Sequence, residues 1–395
     1  MQKQYRKLIM VSTSNNNKFY EMLYNGGATF DVKYGRVEST VQTGTYPYSQ
    51  WQSKYNEKIR KGYKDVTDFV TTEVIQNQPV DSKLTATGDS KVDEFLALMK
   101  AYTDNLVSTT YSVKADVVSQ KQVDEAQKII NGLNIALTAK VGDNKSINEL
   151  LTELYMIIPR RMRSVQDYLL PNINLDKTLQ QEQDNLDAMA SQVAQIAPKK
   201  TKKSKKKEQN LLDVLGVTMK LCKPNSDIQY LLDQGHGKKV EAIFEANKPE
   251  EDKNIEEWMK DKKNKTTKIL IHGTRCSSVI PILEQSLKIR PSGNFQFSGK
   301  VYGDGNYFSE VMSKSLNYTG NDKDKILLVY EVHTGNPFVY DGWYKGNSFS
   351  LNLSELQKRG FDSTYVKAGN GLLNSEIIAY SEKQNRLKYI IWLKN

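Results

Sequence analysis

Histidine is scarce in this chain, and one of its three copies, His272, stands where a chemical site is easily built. It follows a strand-like apolar run, Lys268-Ile269-Leu270-Ile271, and precedes Gly273-Thr274, so a strand ends there and the backbone can approach a ligand closely. Downstream, Gly303-Asp304-Gly305-Asn306-Tyr307-Phe308 combines a glycine turn with two aromatic residues. A helical stretch after it carries Lys314, Ser315 and Tyr318. The Gly-x-Gly turn does not continue into a full dinucleotide fingerprint, so by itself it is only a turn. Taken alone, Tyr307 and Tyr318 fit ordinary packing at a core or its rim.

These residues need a scaffold, and the chain has room for more than one. Its 395 residues exceed what one ordinary core organises, and two or three domains are expected. From Asn210 onward, short apolar strands (268–272, 326–332, 376–380 and 389–393) alternate with Gly-, Asn- and Ser-rich loops such as 292–305 and 368–374. Sparse helices are expected at 224–232, 240–247, 279–285 and 310–317. The result is an α+β domain over residues 209–395. Residues 91–198 instead show helical periodicity. Ser119 with Gln122, and Ser146 with Glu149, have capping-box spacing ahead of apolar stripes, and Pro159 should end the second of these helices. A further helix is expected over 179–196. That all-α bundle has no His or Cys and no metal-ligand pattern, so a structural or regulatory role is expected. Residues 1–78 form a small β-rich domain, with strands at 5–11, 18–24, 28–36 and 37–44 and a helix over 48–61 that stops at Gly62.

Composition narrows the setting. Two cysteines exclude a disulfide framework and a cysteine-rich zinc module, and fit a reducing compartment, nuclear or cytoplasmic. No apolar run is long enough for a membrane span, so no membrane association is expected. Seven units of the net charge of +10 lie in one lysine run between Lys199 and Lys207, which reads as a linker over 199–208 or as a polyanion-binding patch. The basic balance is therefore not, by itself, a sign of DNA binding.

Taken together, the segments say more than each does separately. His272-Gly273-Thr274-Arg275, Leu287-Lys288-Ile289-Arg290-Pro291, Gly303 to Phe308 and Ser313 to Tyr318, in that order, resemble the donor half of the poly(ADP-ribose) polymerase catalytic domain. The run Leu372-Leu373-Asn374-Ser375-Glu376-Ile377-Ile378-Ala379-Tyr380 is similar to that family's last signature segment. Upstream, 150–159 resembles the helical regulatory domain of the DNA-dependent members, and Lys33-Tyr34-Gly35-Arg36-Val37 is similar to the WGR domain, with tyrosine in place of its tryptophan. The absence of zinc-finger cysteines fits the finger-less branch.

The resemblance implies a triad of His272, Tyr307 and Glu376, with Lys314 beside the catalytic carboxylate. Spacing alone does not say which glutamate serves; the family pattern selects Glu376. It implies NAD⁺ as substrate and no metal. Gly273 and Ser315 would hold the nicotinamide amide, Tyr307 and Tyr318 would flank its ring, and His272 would hold the adenosine ribose. Thr274, Ser278 and Lys288 would complete the donor site. Ser278, Lys288 and Ser375 depart from the usual asparagine, arginine and asparagine. The implied partners are DNA with breaks or nicks, contacted by Tyr34 and Arg36, and acceptor proteins including the chain itself. The expectation is a DNA-break-stimulated ADP-ribosyltransferase; a mono-ADP-ribosyltransferase and a catalytically silent DNA-binding scaffold are the rival readings.

Overall fold

The computed structural model describes residues 3–69, 84–139, 141–196, 209–234, 237–289, 301–341, 351–369 and 371–395. The lysine run at 199–207 and the loop residues 292–300 lie outside them. The chain divides into two compact units, Met1–Asp81 with Asn105–Pro198, and Ser82–Asp104 with Lys199–Asn395.

The first unit opens with an antiparallel meander of β1 (Gln4–Ser12), β2 (Asn16–Tyr24), β3 (Thr29–Arg36) and β4 (Gln42–Pro47). After α1 (Trp51–Arg60), β5 (Lys64–Asp65) adds to the free edge of β1, giving the order β4-β3-β2-β1-β5. Ser12 pairs with Asn16, so the β1–β2 loop is residues 13–15. Its last residue, Asn15, takes the left-handed φ of 60° that asparagine tolerates. Leu8, Tyr20, Met22, Tyr24, Phe30, Val32 and Trp51 form the core of this sheet. The expected strand at 37–44 is displaced: Glu38, at φ 67°, turns the chain, and pairing resumes only at Gln42.

Four longer helices come next: α2 (Ser90–Thr110), α3 (Gln120–Ala139), α4 (Asn144–Ile157) and α5 (Leu175–Ile196). The capping box of α3 is reciprocal, with Ser119 N–H donating to Gln122 Oε1 (3.0 Å) and Gln122 N–H to Ser119 Oγ (3.3 Å). The box expected at Ser146 and Glu149 does not form. Asp143 is the cap, accepting from the Ser146 N–H at 2.8 Å, and Ser146 lies inside the first turn. A carboxylate is well suited to that place, because it faces free N–H groups and the positive end of the helix dipole.

The second unit contains α6 (Leu211–Leu215), β6 (Thr218–Leu221), α7 (Ser226–Leu232), β7 (Lys239–Asn247), α8 (Pro249–Met259), β8 (Thr267–Thr274) and α9 (Cys276–Gln285). It continues with β9 (Asn306–Phe308), α10 (Met312–Leu316), β10 (Asp324–His333), β11 (Pro337–Asp341), α11 (Leu353–Lys358), β12 (Ser363–Lys367), β13 (Glu376–Ala379) and β14 (Asn385–Lys394). One antiparallel sheet runs β6-β7-β14-β10-β8 and a second runs β11-β12-β13-β9.

The first of these sheets is covered on both faces. Leu328, Tyr330, Ile390 and Trp392 point into one apolar layer, and their neighbours Leu327, Val329, Ile391 and Leu393 into the other. The helix expected over 240–247 is instead strand β7. Ala242, Phe244 and Ala246 face one layer while Ile243 faces the other, a period of two that β14 and β6 enforce against the helical propensity of Glu and Ala.

The start of α2 belongs to this unit. Val92, Phe95, Leu96 and Met99 sit in its core, and Asp324 accepts from both Tyr102 OH (3.0 Å) and Trp392 Nε1 (2.7 Å).

Candidate active site

The site is built where the edges of the two sheets meet. Ile271 in β8 and Ser309, just beyond β9, exchange two backbone hydrogen bonds of 2.9 Å, joining one sheet to the other. β9 pairs in turn with β13, with Tyr307 opposite Ile378 and Phe308 opposite Ile377. Three segments distant in sequence therefore deliver His272, Tyr307 and Glu376 to one junction.

Glycines make the approach possible. A Cβ on Gly273 would lie 1.8 Å from the Ser315 carbonyl oxygen, so only glycine lets α10 rest on β8. Gly305 is similarly confined, its Cβ position lying 2.5 Å from the Ile378 side chain.

Glu376 is 9% exposed, and its Oε1 lies 2.5 Å from the Lys314 amine, which also donates to the Asn374 carbonyl at 3.2 Å. Tyr307 is fixed through its hydroxyl, which donates to the Gly303 carbonyl (2.8 Å) and accepts from the Tyr302 N–H (2.9 Å). Burial, followed by the nearby Tyr380 and the Glu376 charge, holds its phenol well above the ordinary range. Tyr318 is half exposed, and burial plus the charge of Glu376 raise its phenol too. Both rings thus lie close enough to feel the Glu376 carboxylate. His272 Nδ1 is 3.0 Å from the Tyr307 carbonyl oxygen, and burial pushes its imidazole below the usual range. Ser315 is buried; its hydroxyl donates to the Ile271 carbonyl at 3.3 Å, leaving its lone pairs free to accept from a ligand amide. Thr274 is buried at the end of β8.

Other expected residues have partners within the protein. Ser278 lies in the first turn of α9, its N–H bonded to the Arg275 carbonyl. Lys288 pairs with Glu382 at 2.8 Å, and the other Glu382 oxygen accepts the Ile289 N–H at 2.9 Å. Arg36 donates to the Asn15 carbonyl (2.7 Å), to Asn15 Oδ1 (3.2 Å) and to the Arg163 carbonyl (2.9 Å), all within the first unit. Tyr34 packs against that unit's aromatic core, 5.8 Å from Tyr20.

Sequence reasoning missed Glu310 and Glu382. Glu310 pairs with Lys268 at 2.7 Å and receives the Ser375 hydroxyl at 3.5 Å, next to the catalytic candidate. No local motif marks either glutamate, since each acts across segments that only the fold brings together. Among the described residues, no group of three or more His, Cys, Asp or Glu could hold a metal, and no helix is long and apolar enough to cross a membrane.

Residues 225–342 match the poly(ADP-ribose) polymerase catalytic domain, a span that includes His272, Tyr307 and Lys314 and stops short of Glu376. The poly [ADP-ribose] polymerase-like protein 100L of Invertebrate iridescent virus 6 is 55% identical over 168 residues, 42% of this chain and 93% of that protein. Uncharacterized protein 101L of the same virus is 43% identical over 190 residues, 48% of this chain and 77% of that protein. Poly [ADP-ribose] polymerase 1 of Gallus gallus is 24% identical over 314 residues, 70% of this chain and 30% of that protein.

Proposed function

Given that this chain belongs to the poly(ADP-ribose) polymerase family and is an NAD⁺ ADP-ribosyltransferase, we propose that it builds ADP-ribose polymer on protein acceptors, itself included, when broken or nicked DNA engages its N-terminal unit. In the transfer, the bond between nicotinamide and C1′ of its ribose breaks. Nicotinamide leaves as a neutral base with the bonding pair, and positive charge builds on the sugar as an oxocarbenium-like ion.

A fixed carboxylate stabilises that charge most where it cannot relax away, and Glu376 is the group assigned to this. Lys314 orients it. Tyr307 and Tyr318 flank the nicotinamide ring, Gly273 and Ser315 hold its amide, and His272 holds the adenosine ribose. Thr274, Ser278 and Lys288 serve the rest of the donor. The observation that supports this reading is the Glu376 carboxylate itself, nearly buried, 2.5 Å from Lys314 and acting on both tyrosines. It departs from a silent scaffold, which would have no need to confine an acid there.

DNA control is assigned to the helices of the first unit, acting as a two-state gate that DNA binding opens. Labelled NAD⁺, with and without nicked DNA, tests the proposal. DNA should increase label transfer and lengthen the products. Deleting residues 105–198 while keeping 82–104 should leave an enzyme active without DNA. Equal transfer with and without DNA in the full chain would remove the DNA claim, and products of single ADP-ribose units would limit the enzyme to mono-transfer.

A further inference from the structure

Helix α10 carries Lys314 and Ser315, yet it is only five residues long and cannot hold itself in place. Its N-cap residue, Val311, has no side-chain acceptor for the free N–H groups of the first turn. Those groups are met from outside. Ser309 Oγ accepts the Val311 N–H at 3.0 Å. Gln234, 78 residues away, accepts the Met312 N–H through Oε1 at 2.9 Å and donates through Nε2 to the Glu310 carbonyl at 2.8 Å. One amide therefore spans Val311 and binds the main chain on both sides of it.

Gln234 is well founded for this. It lies just beyond α7, whose Ile228 and Leu231 share an apolar layer with Met312, and α7 has its own cap at Asn225. At its far end α10 is held by the Ser315 hydroxyl on the Ile271 carbonyl and by the close approach over Gly273. Lys314 sits between these two supports, and its amine reaches Glu376 at 2.5 Å.

We propose that Gln234 is a positioning residue for ADP-ribosyl transfer: by capping α10 from a separate segment it fixes Lys314 against Glu376. This rests on the role given above to Glu376 and Lys314. Loosening the first turn of α10 would swing the Lys314 stem, and displacements on the scale of 1 Å near a reacting centre lower rates steeply. The effect should fall on the rate of transfer more than on donor affinity, because the Gln234 side chain hydrogen-bonds the segment that carries the lysine.

The test is a set of full-length variants assayed with labelled NAD⁺ below the melting midpoint of the least stable one. Gln234→Met keeps the side-chain volume and loses both hydrogen bonds. It should lower kcat on the order of ten-fold, with KM for NAD⁺ within about two-fold. Gln234→Glu retains the acceptor for the Met312 N–H and should recover part of the loss. In a Lys314→Ala background, Gln234→Met should cause no further loss, because two residues acting through one contact do not add. Wild-type kcat in Gln234→Met, or the same ten-fold loss in the Lys314→Ala background, overturns the proposal. Glu376→Gln is run alongside: full activity there would defeat the reading of the site, whereas an inactive Glu376→Gln with a fully active Gln234→Met defeats the role of Gln234 alone.

Discussion

The two units each contain an enclosed pair of opposite charges, and the pairs are built for different ends. In the first unit, Arg160 and Glu182 bond with side chains 4% and 6% exposed; in the second, Lys314 and Glu376 do so at 11% and 12%. The Arg160 guanidinium lies 4.0 Å over the Tyr111 ring, and its Nε and Nη1 have no hydrogen-bond partner among the described residues. Burial pushes the Glu182 carboxyl above the ordinary range despite the pull of Arg160. Glu376 has a different setting: its partner Lys314 also donates to the Asn374 carbonyl, and its charge reaches Tyr318, which is half exposed. A sealed pair tends to fix one arrangement of helices at a cost in desolvation, whereas a less deeply buried pair keeps its acid closer to solvent.

Substitutions at the two pairs should have opposite balances of stability and activity. Arg160→Met should strand the Glu182 charge and destabilise the first unit by about 3–5 kcal/mol, and adding Glu182→Leu should restore most of the loss. Lys314→Met should cost less stability and lower transfer instead. Denaturant unfolding together with the transfer assay checks both arms. Unchanged stability in Arg160→Met, with transfer reduced as far as in Lys314→Met, would erase the distinction between the pairs.

A smaller effect is expected from pH. Burial lowers the His272 imidazole, so the folded chain disfavours its protonated form. The neutral ring's contribution to stability is complete above the unfolded value of about 6.5 and is lost as pH falls through the lowered folded value. One such group changes stability by at most about 1.4 kcal/mol per pH unit. Unfolding midpoints of the wild type and of His272→Gln, measured from pH 7.5 to pH 5, should diverge below about 6.5, with the wild type falling more steeply. Parallel curves would mean that the folded chain does not disfavour protonation of His272.

Much of the second unit is legible in the sequence because its signals are local. The apolar runs at 268–272 and 326–332 form β8 and β10, and His272, Gly273, Tyr307, Lys314, Ser315 and Glu376 lie on β8, β9, α10 and β13. The features that stay hidden depend on partners distant in the chain. Residues 240–247 carry helix-forming Glu and Ala, yet neighbours on both sides make them a strand. Ser146 and Glu149 have capping-box spacing, but Asp143 occupies the cap. Helical periodicity from residue 91 assigns the whole of α2 to the bundle, whereas Val92, Phe95, Leu96, Met99 and Tyr102 complete the second unit's core and its Asp324 network, which no periodicity within α2 reveals. Arg36 reads in the sequence as available to a phosphate; its partners Asn15 and Arg163 become visible only in the folded chain.

Glu376→Gln separates action on the charge that develops during transfer from a role in donor binding. The amide keeps the shape of the carboxylate without its charge. Label transfer from NAD⁺ to protein, at saturating donor, should fall ~100–1000-fold, while binding of a nicotinamide mimic, read as a rise in Tm, should stay close to that of the wild type. Transfer within about two-fold of the wild type, or loss of mimic binding in step with loss of transfer, would contradict the role assigned to Glu376.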